Sequence, residues 1–203
     1  MPLNPGSKPA DTRYEVRFSG SGGQGLITAA IIFAEAAGVY NGKYVCQTQS
    51  YGPEARGGKS KAEVVISAQP IDYPKAMQLD ILLAMNQASC DAYYYDLKPN
   101  GLLVVDANLV EQHPTSRIIA LPFTEIASEQ AGRAVAANMV ALGTIGELSG
   151  MVSIANLEKA LLARVPKGTE EMNLKALHIG IHEAQKVNLY DLPRAVMMDE
   201  DEM

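Results

Sequence analysis

From Arg13 the chain alternates polar and apolar positions through Tyr14, Val16 and Phe18, and the alternation stops at Gly20. A period of two marks a strand buried on one face, and the stretch Gly20-Ser21-Gly22-Gly23-Gln24-Gly25 reads as the turn that ends it. Residues 26–37 are alanine-rich and lack a polar face, which predicts a helix packed against a sheet and screened from water. Residues 44–49 and 62–67 read as two further strands. The segment between them, Ser50 to Gly58, holds too much Gly and Pro for regular structure. Residues 79–85 and 102–106 are continuous apolar runs, as in central strands covered on both faces, and 117–121 reads as an edge or late strand. Helices are expected over 87–97, 124–130, 134–148, 154–165 and 170–187, the last with Thr169 as its N-cap.

Strands alternating with helices before a helical C-terminal third predict an α/β fold: a three-layer α/β/α domain with a mixed, mostly parallel sheet. The short link between 44–49 and 62–67 permits the antiparallel pair that makes it mixed. A length of 203 residues suits one domain. We expect a flexible leader over 1–12, a single domain over 13–190 and an acidic tail over 191–203. The leader carries Pro2, Pro5 and Pro9 and lacks the charged and apolar blocks of a secretory signal.

Composition narrows the function classes. The balance of 47% hydrophobic and 20% charged residues is that of an ordinary globular protein, and no apolar run reaches the roughly 20 residues of a membrane span. Of the net charge of −6, Asp199, Glu200, Asp201 and Glu202 supply −4, so the rest is nearly neutral and its cations are scattered. A nucleic acid partner needs a concentrated basic surface and is not expected. Cys46 and Cys90 are the only cysteines, whereas an iron–sulfur cubane needs four thiolates. Two free thiols in a reducing cytoplasm are preferred to a disulfide.

Two segments carry candidate chemistry. Gly20 to Gly25 fits G-x-G-x-x-G, which admits two readings: a turn for close helix–sheet packing, or a turn whose amides face a phosphate. Gln24 favours the second, since a packing turn has no evident need of it. A dinucleotide site would further require an acid at the end of the second strand, where Gln47, Thr48 and Gln49 stand instead. Tyr51 to Gly58 gathers an aromatic ring, an acid, a guanidinium and three glycines. Arg56 either pairs with Glu54 as a loop staple or grips a carboxylate or phosphate while Gly57 and Gly58 admit it to the backbone. Both loops would emerge at the carboxyl edge of the sheet, where open α/β folds place their sites.

Other residues weigh less. His178 and His182 lie four apart on a helix without a third ligand, so they are read as solvated or capping groups and no metal site is expected. The run Tyr93-Tyr94-Tyr95 suits packing and interface contacts. The small residues of 134–148 permit close helix approach, chiefly for the core. No serine has the context of a nucleophile, and no residue is picked as catalytic.

Taken together, Gly20-Ser21-Gly22-Gly23-Gln24-Gly25 and Ser50-Tyr51-Gly52-Pro53-Glu54-Ala55-Arg56-Gly57-Gly58 resemble the paired signatures of the gamma domain of 2-oxoacid:ferredoxin oxidoreductases. The likeness extends more loosely from Tyr14 to Lys186 and includes Asn86, Gly101, Asn138, Asn173, Ala176 and Gly180. It implies a cytoplasmic complex that decarboxylates a 2-oxoacid on thiamine diphosphate, passes electrons through iron–sulfur clusters to ferredoxin and releases an acyl-coenzyme A. The implied partners are alpha and beta subunits bearing thiamine diphosphate and a ferredoxin-like delta subunit. By the same resemblance this gamma chain holds no cofactor tightly, is inactive alone, and lines the active site and coenzyme A pocket. The contacts it implies are Gly20, Ser21, Gly22, Gly23, Gln24, Gly25, Ser50, Tyr51, Gly52, Glu54, Arg56, Gly57 and Gly58. The Gly-Asp-Gly with paired asparagines of a thiamine diphosphate site is missing from the sequence. A short free-standing chain of this kind resembles the 2-oxoglutarate branch, with pyruvate, branched-chain 2-oxoacid and indolepyruvate enzymes as alternatives. The rival readings are a stand-alone Rossmann-like nucleotide-binding oxidoreductase and a purely structural scaffold.

Overall fold

The computed structural model describes residues 13–51 and 59–194. Strand β1 (Tyr14–Ser21) runs through the glycine turn into helix α1 (Leu26–Glu35), which a π-helical turn (Ala36–Tyr40) prolongs. Strands β2 (Tyr44–Tyr51), β3 (Lys59–Ser67) and β4 (Leu79–Ala84) follow, then α2 (Gln87–Tyr93), β5 (Leu97–Asp106) and β6 (Ile118–Leu121). The chain continues through α3 (Phe123–Gln130), α4 (Ala137–Ser149), α5 (Ile154–Arg164) and α6 (Glu170–Gln185).

Six strands form one sheet in the order β2-β3-β1-β4-β5-β6. Strand β3 lies antiparallel to both its neighbours, and the β1–β4, β4–β5 and β5–β6 pairs are parallel. The sheet is therefore mixed and mostly parallel, as the sequence predicts. Alternation decides the faces. Val16 and Phe18 of β1, with Val64 of β3 and Leu83 of β4, turn to a core built with α1 and α3 to α6. Val65, Leu82 and Leu103 turn the other way, onto a thinner layer that includes Cys90 of α2 and the loop residues Ala76 and Val110.

The close packing of α4 on α6 has a specific cause. A Cβ on Gly143 would overlap the carbonyl oxygen of Leu177, and one on Gly180 that of Val140. Thr144 bridges the pair, its hydroxyl lying 3.1 Å from both the Val140 and Gly180 carbonyls. The small residues of 134–148 thus serve the core.

Several details differ from expectation: Ser50 and Tyr51, expected in the irregular segment, close β2, and β3 begins at Lys59 instead of 62, because the two strands pair in register to their ends. The helix placed over 87–97 stops at Tyr93, passes through a 3-10 turn (Tyr94–Asp96) and gives way to β5 at Leu97. Pro99-Asn100-Gly101 looks like a turn, yet its backbone stays in the strand: the register jumps from Leu79 opposite Leu97 to Ile81 opposite Leu102, and a bulge absorbs the surplus residues. Gly101 permits this because a Cβ there would come within 2.7 Å of the Leu79 carbonyl oxygen. The helix expected from 134 begins as a 3-10 turn (Ala134–Ala136). Thr169 occupies the N-cap position of α6, but its hydroxyl donates to the Pro166 carbonyl (2.7 Å) and accepts from Asn173 Nδ2 (3.0 Å), without capping a helix amide.

Candidate functional site

The glycine turn closes on itself. Gln24 Oε1 accepts from the Ser21 amide at 2.6 Å, and a Cβ on Gly20 would overlap that Gln24 oxygen and come within 2.6 Å of Leu26 Cδ1. Gln24 therefore has a structural use that the sequence does not suggest. At the other end Gly25 adopts φ +73°, which disfavours any side chain, and a Cβ there would overlap Asn138 Nδ2. That amide, carried by α4, donates to the Gly25 carbonyl at 3.2 Å, so the helix layer holds the turn from behind. Gly22 and Gly23 are exposed, and a Cβ on either would meet nothing within 4 Å. Gly22 also has no positive φ, so nothing inside the described chain compels glycine there.

Strand pairing brings other elements to the same edge. The Met85 amide, just past β4, donates to the Ser19 carbonyl at 2.9 Å. Asn86 then spans two elements: its Oδ1 caps α2 by accepting from the Ser89 amide (2.8 Å), and its Nδ2 donates to Ser21 Oγ (2.7 Å). Because Ser21 Oγ accepts in that bond, its own hydrogen is available to donate elsewhere. In register, Ser21 lies opposite Lys59 and Tyr51 opposite Ser60, so both chain ends bounding 52–58 stand beside the glycine turn. Ser50 of β2 is exposed one register step away, opposite Lys61. The expected contacts Gly52, Glu54, Arg56, Gly57 and Gly58 lie outside the described residues. The chain leaves β1 towards β2 on one side, while β4 flanks β1 on the other. Open α/β sheets receive ligands at such a switch point, which here falls at the carboxyl ends of β1 and β4.

Behind the turn, on the α2 side of the sheet, lies an ionic cluster that sequence reasoning missed. Arg17 and Glu63, 3% and 5% exposed, face each other across β1 and β3. Arg17 donates to Glu63 Oε1 from Nη2 (2.7 Å) and Nε (3.0 Å), and its Nη1 meets the Asp96 carboxylate. Lys61 Nζ adds a third donor to the same Glu63 oxygen at 2.8 Å, and the Tyr93 ring lies 4.9 Å from the Arg17 guanidinium carbon. Burial pushes the Glu63 carboxyl up, but the Lys61 and Arg17 donors and charges outweigh it and hold the group below its ordinary value. Tyr93 moves the other way: burial raises its phenol above the usual range despite the nearby Arg17 charge. In the sequence these are ordinary polar positions of alternating strands, and only their register reveals the pairing.

The remaining candidates do not converge. His178 Nε2 pairs with Glu158 at 2.8 Å, while His182 Nδ1 lies 3.8 Å from Glu183. Among the described residues no group of three His, Cys, Asp or Glu is arranged to hold a metal. Cys46 and Cys90 are free thiols, and burial raises the latter's pKa. No described helix is long and apolar enough to cross a membrane.

Comparison with known proteins bears on this arrangement. Residues 15–183 match the model of the pyruvate ferredoxin/flavodoxin oxidoreductase family. The 2-oxoglutarate synthase subunit KorC of Methanocaldococcus jannaschii is 47% identical over 179 residues, covering 86% of this chain and 96% of that one. The crystal structure of a keto/oxoacid ferredoxin oxidoreductase gamma subunit from Geobacter sulfurreducens superposes with a TM-score of 0.79 at 48% identity, covering 86% and 98%. The ketoisovalerate oxidoreductase subunit VorA of Methanothermobacter thermautotrophicus is 31% identical over 191 residues, covering 90% of this chain but 39% of that longer one.

Proposed function

The chain belongs to the pyruvate ferredoxin/flavodoxin oxidoreductase family, and on that premise we propose that it is the gamma-type subunit of a cytoplasmic 2-oxoglutarate:ferredoxin oxidoreductase. The full-length likeness to KorC chains supports 2-oxoglutarate over pyruvate or ketoisovalerate, whose relatives match at 30–31% identity. The complex decarboxylates the 2-oxoacid, passes two electrons to ferredoxin and transfers the acyl group to the coenzyme A sulfur. The chain's two cysteines, on β2 and α2, do not fit the four thiolates of an iron–sulfur cluster. Redox groups and thiamine diphosphate are therefore assigned to alpha, beta and ferredoxin-like delta partners, and the chain alone is inactive. Its body is taken as residues 13–190, with 1–12 as leader and 191–203 as acidic tail.

This chain's part is to bind and orient. The observation that carries the reading is the clasp of Ser21 by Asn86 across the β1–β4 switch point, beside exposed Gly22 and Gly23. Turn amides at the head of α1, where Gly25 supplies no side-chain cap, face an anion with the favourable end of the helix dipole. The Ser21 hydroxyl adds a donor, and Gly22 lets a phosphate reach the backbone. Arg56, which lies in sequence between β2 and β3, is assigned a coenzyme A phosphate or a carboxylate, and Ser50, Tyr51, Gly52, Glu54, Gly57 and Gly58 are assigned to the same contact set. A Rossmann dinucleotide reading has no counterpart to the required acid, because β2 ends in Gln49-Ser50-Tyr51.

The test is purification of the chain from its native cells without denaturant, with assay of co-purifying polypeptides, iron and thiamine diphosphate. The eluate is then supplied with each 2-oxoacid, coenzyme A and an electron acceptor. Larger partners and a preference for 2-oxoglutarate are expected. A lone chain lacking iron and thiamine, or a preference for pyruvate, would overturn the respective half of the proposal.

A further inference from the structure

The two edges of the sheet are treated differently. Strand β6 has four residues, and the chain's last described segment passes near it: Arg117, just before β6, donates from Nη1 to the Leu192 and Pro193 carbonyls at 3.3 and 3.2 Å. Strand β2 has eight residues, and among the described residues only β3 pairs with it. Its sequence, Tyr-Val-Cys-Gln-Thr-Gln-Ser-Tyr, contains none of the charged residues or prolines that ordinarily guard an open edge.

A cavity of about 410 Å³ lies alongside, between β2 and the end of α1. Ile31, Ala34, Val39 and Val45 make its lining largely apolar, with Glu35 and Lys43 as its charged members. Both charges are engaged: Arg164 Nε donates to Glu35 at 3.0 Å, and Lys43 Nζ donates to the Met151 carbonyl at 2.8 Å. The π-helical turn leaves Val39 73% exposed beside it, and Tyr44 at the head of β2 is 51% exposed. This wall is held in place, since Asn156 Nδ2 donates to the Tyr40 carbonyl (3.0 Å) and to Asn41 Oδ1 (2.6 Å). An open strand edge next to a preformed apolar groove is the layout by which folded domains take up an extended peptide.

We propose that an extended, uncharged segment of the partner chain adds to β2 as a seventh strand and sets alternate apolar side chains into the α1–β2 groove. The inference rests on the reading of this chain as a subunit. The source of the strand follows from the relatives: the match spans 96% of the KorC chain of Methanocaldococcus jannaschii but 39% of the longer VorA polypeptide, so the remainder of a VorA-like polypeptide corresponds to a separate chain in a KorC-type complex, and that chain is the partner meant here. A second copy of this chain fits less well. Its β2 would bring Val45 and Gln47, which already line their own groove.

Hydrogen–deuterium exchange of residues 44–51, in the free full-length chain and in the purified complex, tests this. The expected result is slowing of the outward-facing amides by about tenfold or more in the complex, and fast exchange in the free chain. Val39→Glu, a change at an exposed position, is expected to leave the chain folded and to weaken its retention by the partner by about tenfold or more. Equal exchange in an intact complex would overturn the strand addition while leaving the subunit reading untouched. Protection in the free chain that rises with its concentration would assign the edge to a second copy instead. Failure of any larger chain to co-purify would remove the subunit reading and this proposal together.

Discussion

Replacing Arg17 by Met tests the ionic cluster behind the glycine turn. Glu63 Oε1 receives three donors, two from Arg17 and one from Lys61, and Thr48 Oγ1 reaches Oε2 at 3.3 Å. The substitution keeps the apolar stem and removes two of the three donors from a carboxylate that is 5% exposed. Breaking a buried pair from one side costs about 3–5 kcal/mol, because the other charge is left without its partner. Lys61, 29% exposed, remains bound to Glu63, so the loss belongs at the low end, about 3 kcal/mol. Asp96, the other partner of Arg17, is 44% exposed and regains water, adding little. Glu63→Leu is expected to cost a similar amount by stranding Arg17. The double variant Arg17→Met, Glu63→Leu leaves neither charge in the sheet and should fall within about 1 kcal/mol of the parent. Urea unfolding of the full chain, followed by far-ultraviolet circular dichroism, measures all four corners of the cycle. A single-variant loss below about 1 kcal/mol, or a double variant equal to the sum of the singles, would refute the reasoning.

Three further outcomes are expected. The lowered Glu63 pKa means that its ion pair contributes fully above the ordinary value of 4.5 and is lost as pH falls through the lower folded-state value. Acid titration of stability should therefore fall more steeply below about pH 4.5 for the parent than for Glu63→Gln, and parallel curves would argue against the assignment. Gly180→Ala should destabilise by about 3 kcal/mol or more, since its Cβ would overlap the Val140 carbonyl and the fixed backbones must part; a melting temperature unchanged from the parent would contradict the close α4–α6 contact. Gly22→Ala meets open space and should change stability by less than about 0.5 kcal/mol, while raising the KM for coenzyme A in the assembled complex. An unchanged KM would remove the turn from the ligand surface.

Local signals made most of the fold legible. Period-two alternation at 14–18 and the apolar runs at 79–85 and 102–106 placed the central strands, and the glycine turn fixed the start of α1. What stayed hidden depends on non-local pairing. Pro99 and Gly101 look like turn residues, yet the bulge they make only has meaning against Leu79 on the neighbouring strand. Arg17 and Glu63 lie 46 residues apart, and no local pattern says that β1 and β3 align them. The glycine turn is legible in the sequence, where Gln24 points to a ligand; its oxygen also closes the turn on the Ser21 amide, a use no local pattern announces. Asn86 stands out in the sequence only through resemblance, and its double duty as helix cap and Ser21 partner depends on the parallel β1–β4 pairing.

The glycines of the turn separate a scaffold from a ligand site more sharply than its motif does. If the turn existed only to pack α1 on the sheet, each glycine would have a neighbour or a dihedral that demands it. Gly20 has Gln24 and Leu26 against it, and Gly25 has Asn138 and a positive φ. Gly23 has its φ of +92° alone, and Gly22 has neither. The demands are thus met at both ends of the turn and fade in its exposed middle, next to a hydroxyl that Asn86 leaves with a hydrogen to donate. Packing explains how the turn is held; the unexplained middle is the part that a second molecule would need to reach, and it lies at the switch point where α/β sheets receive their ligands.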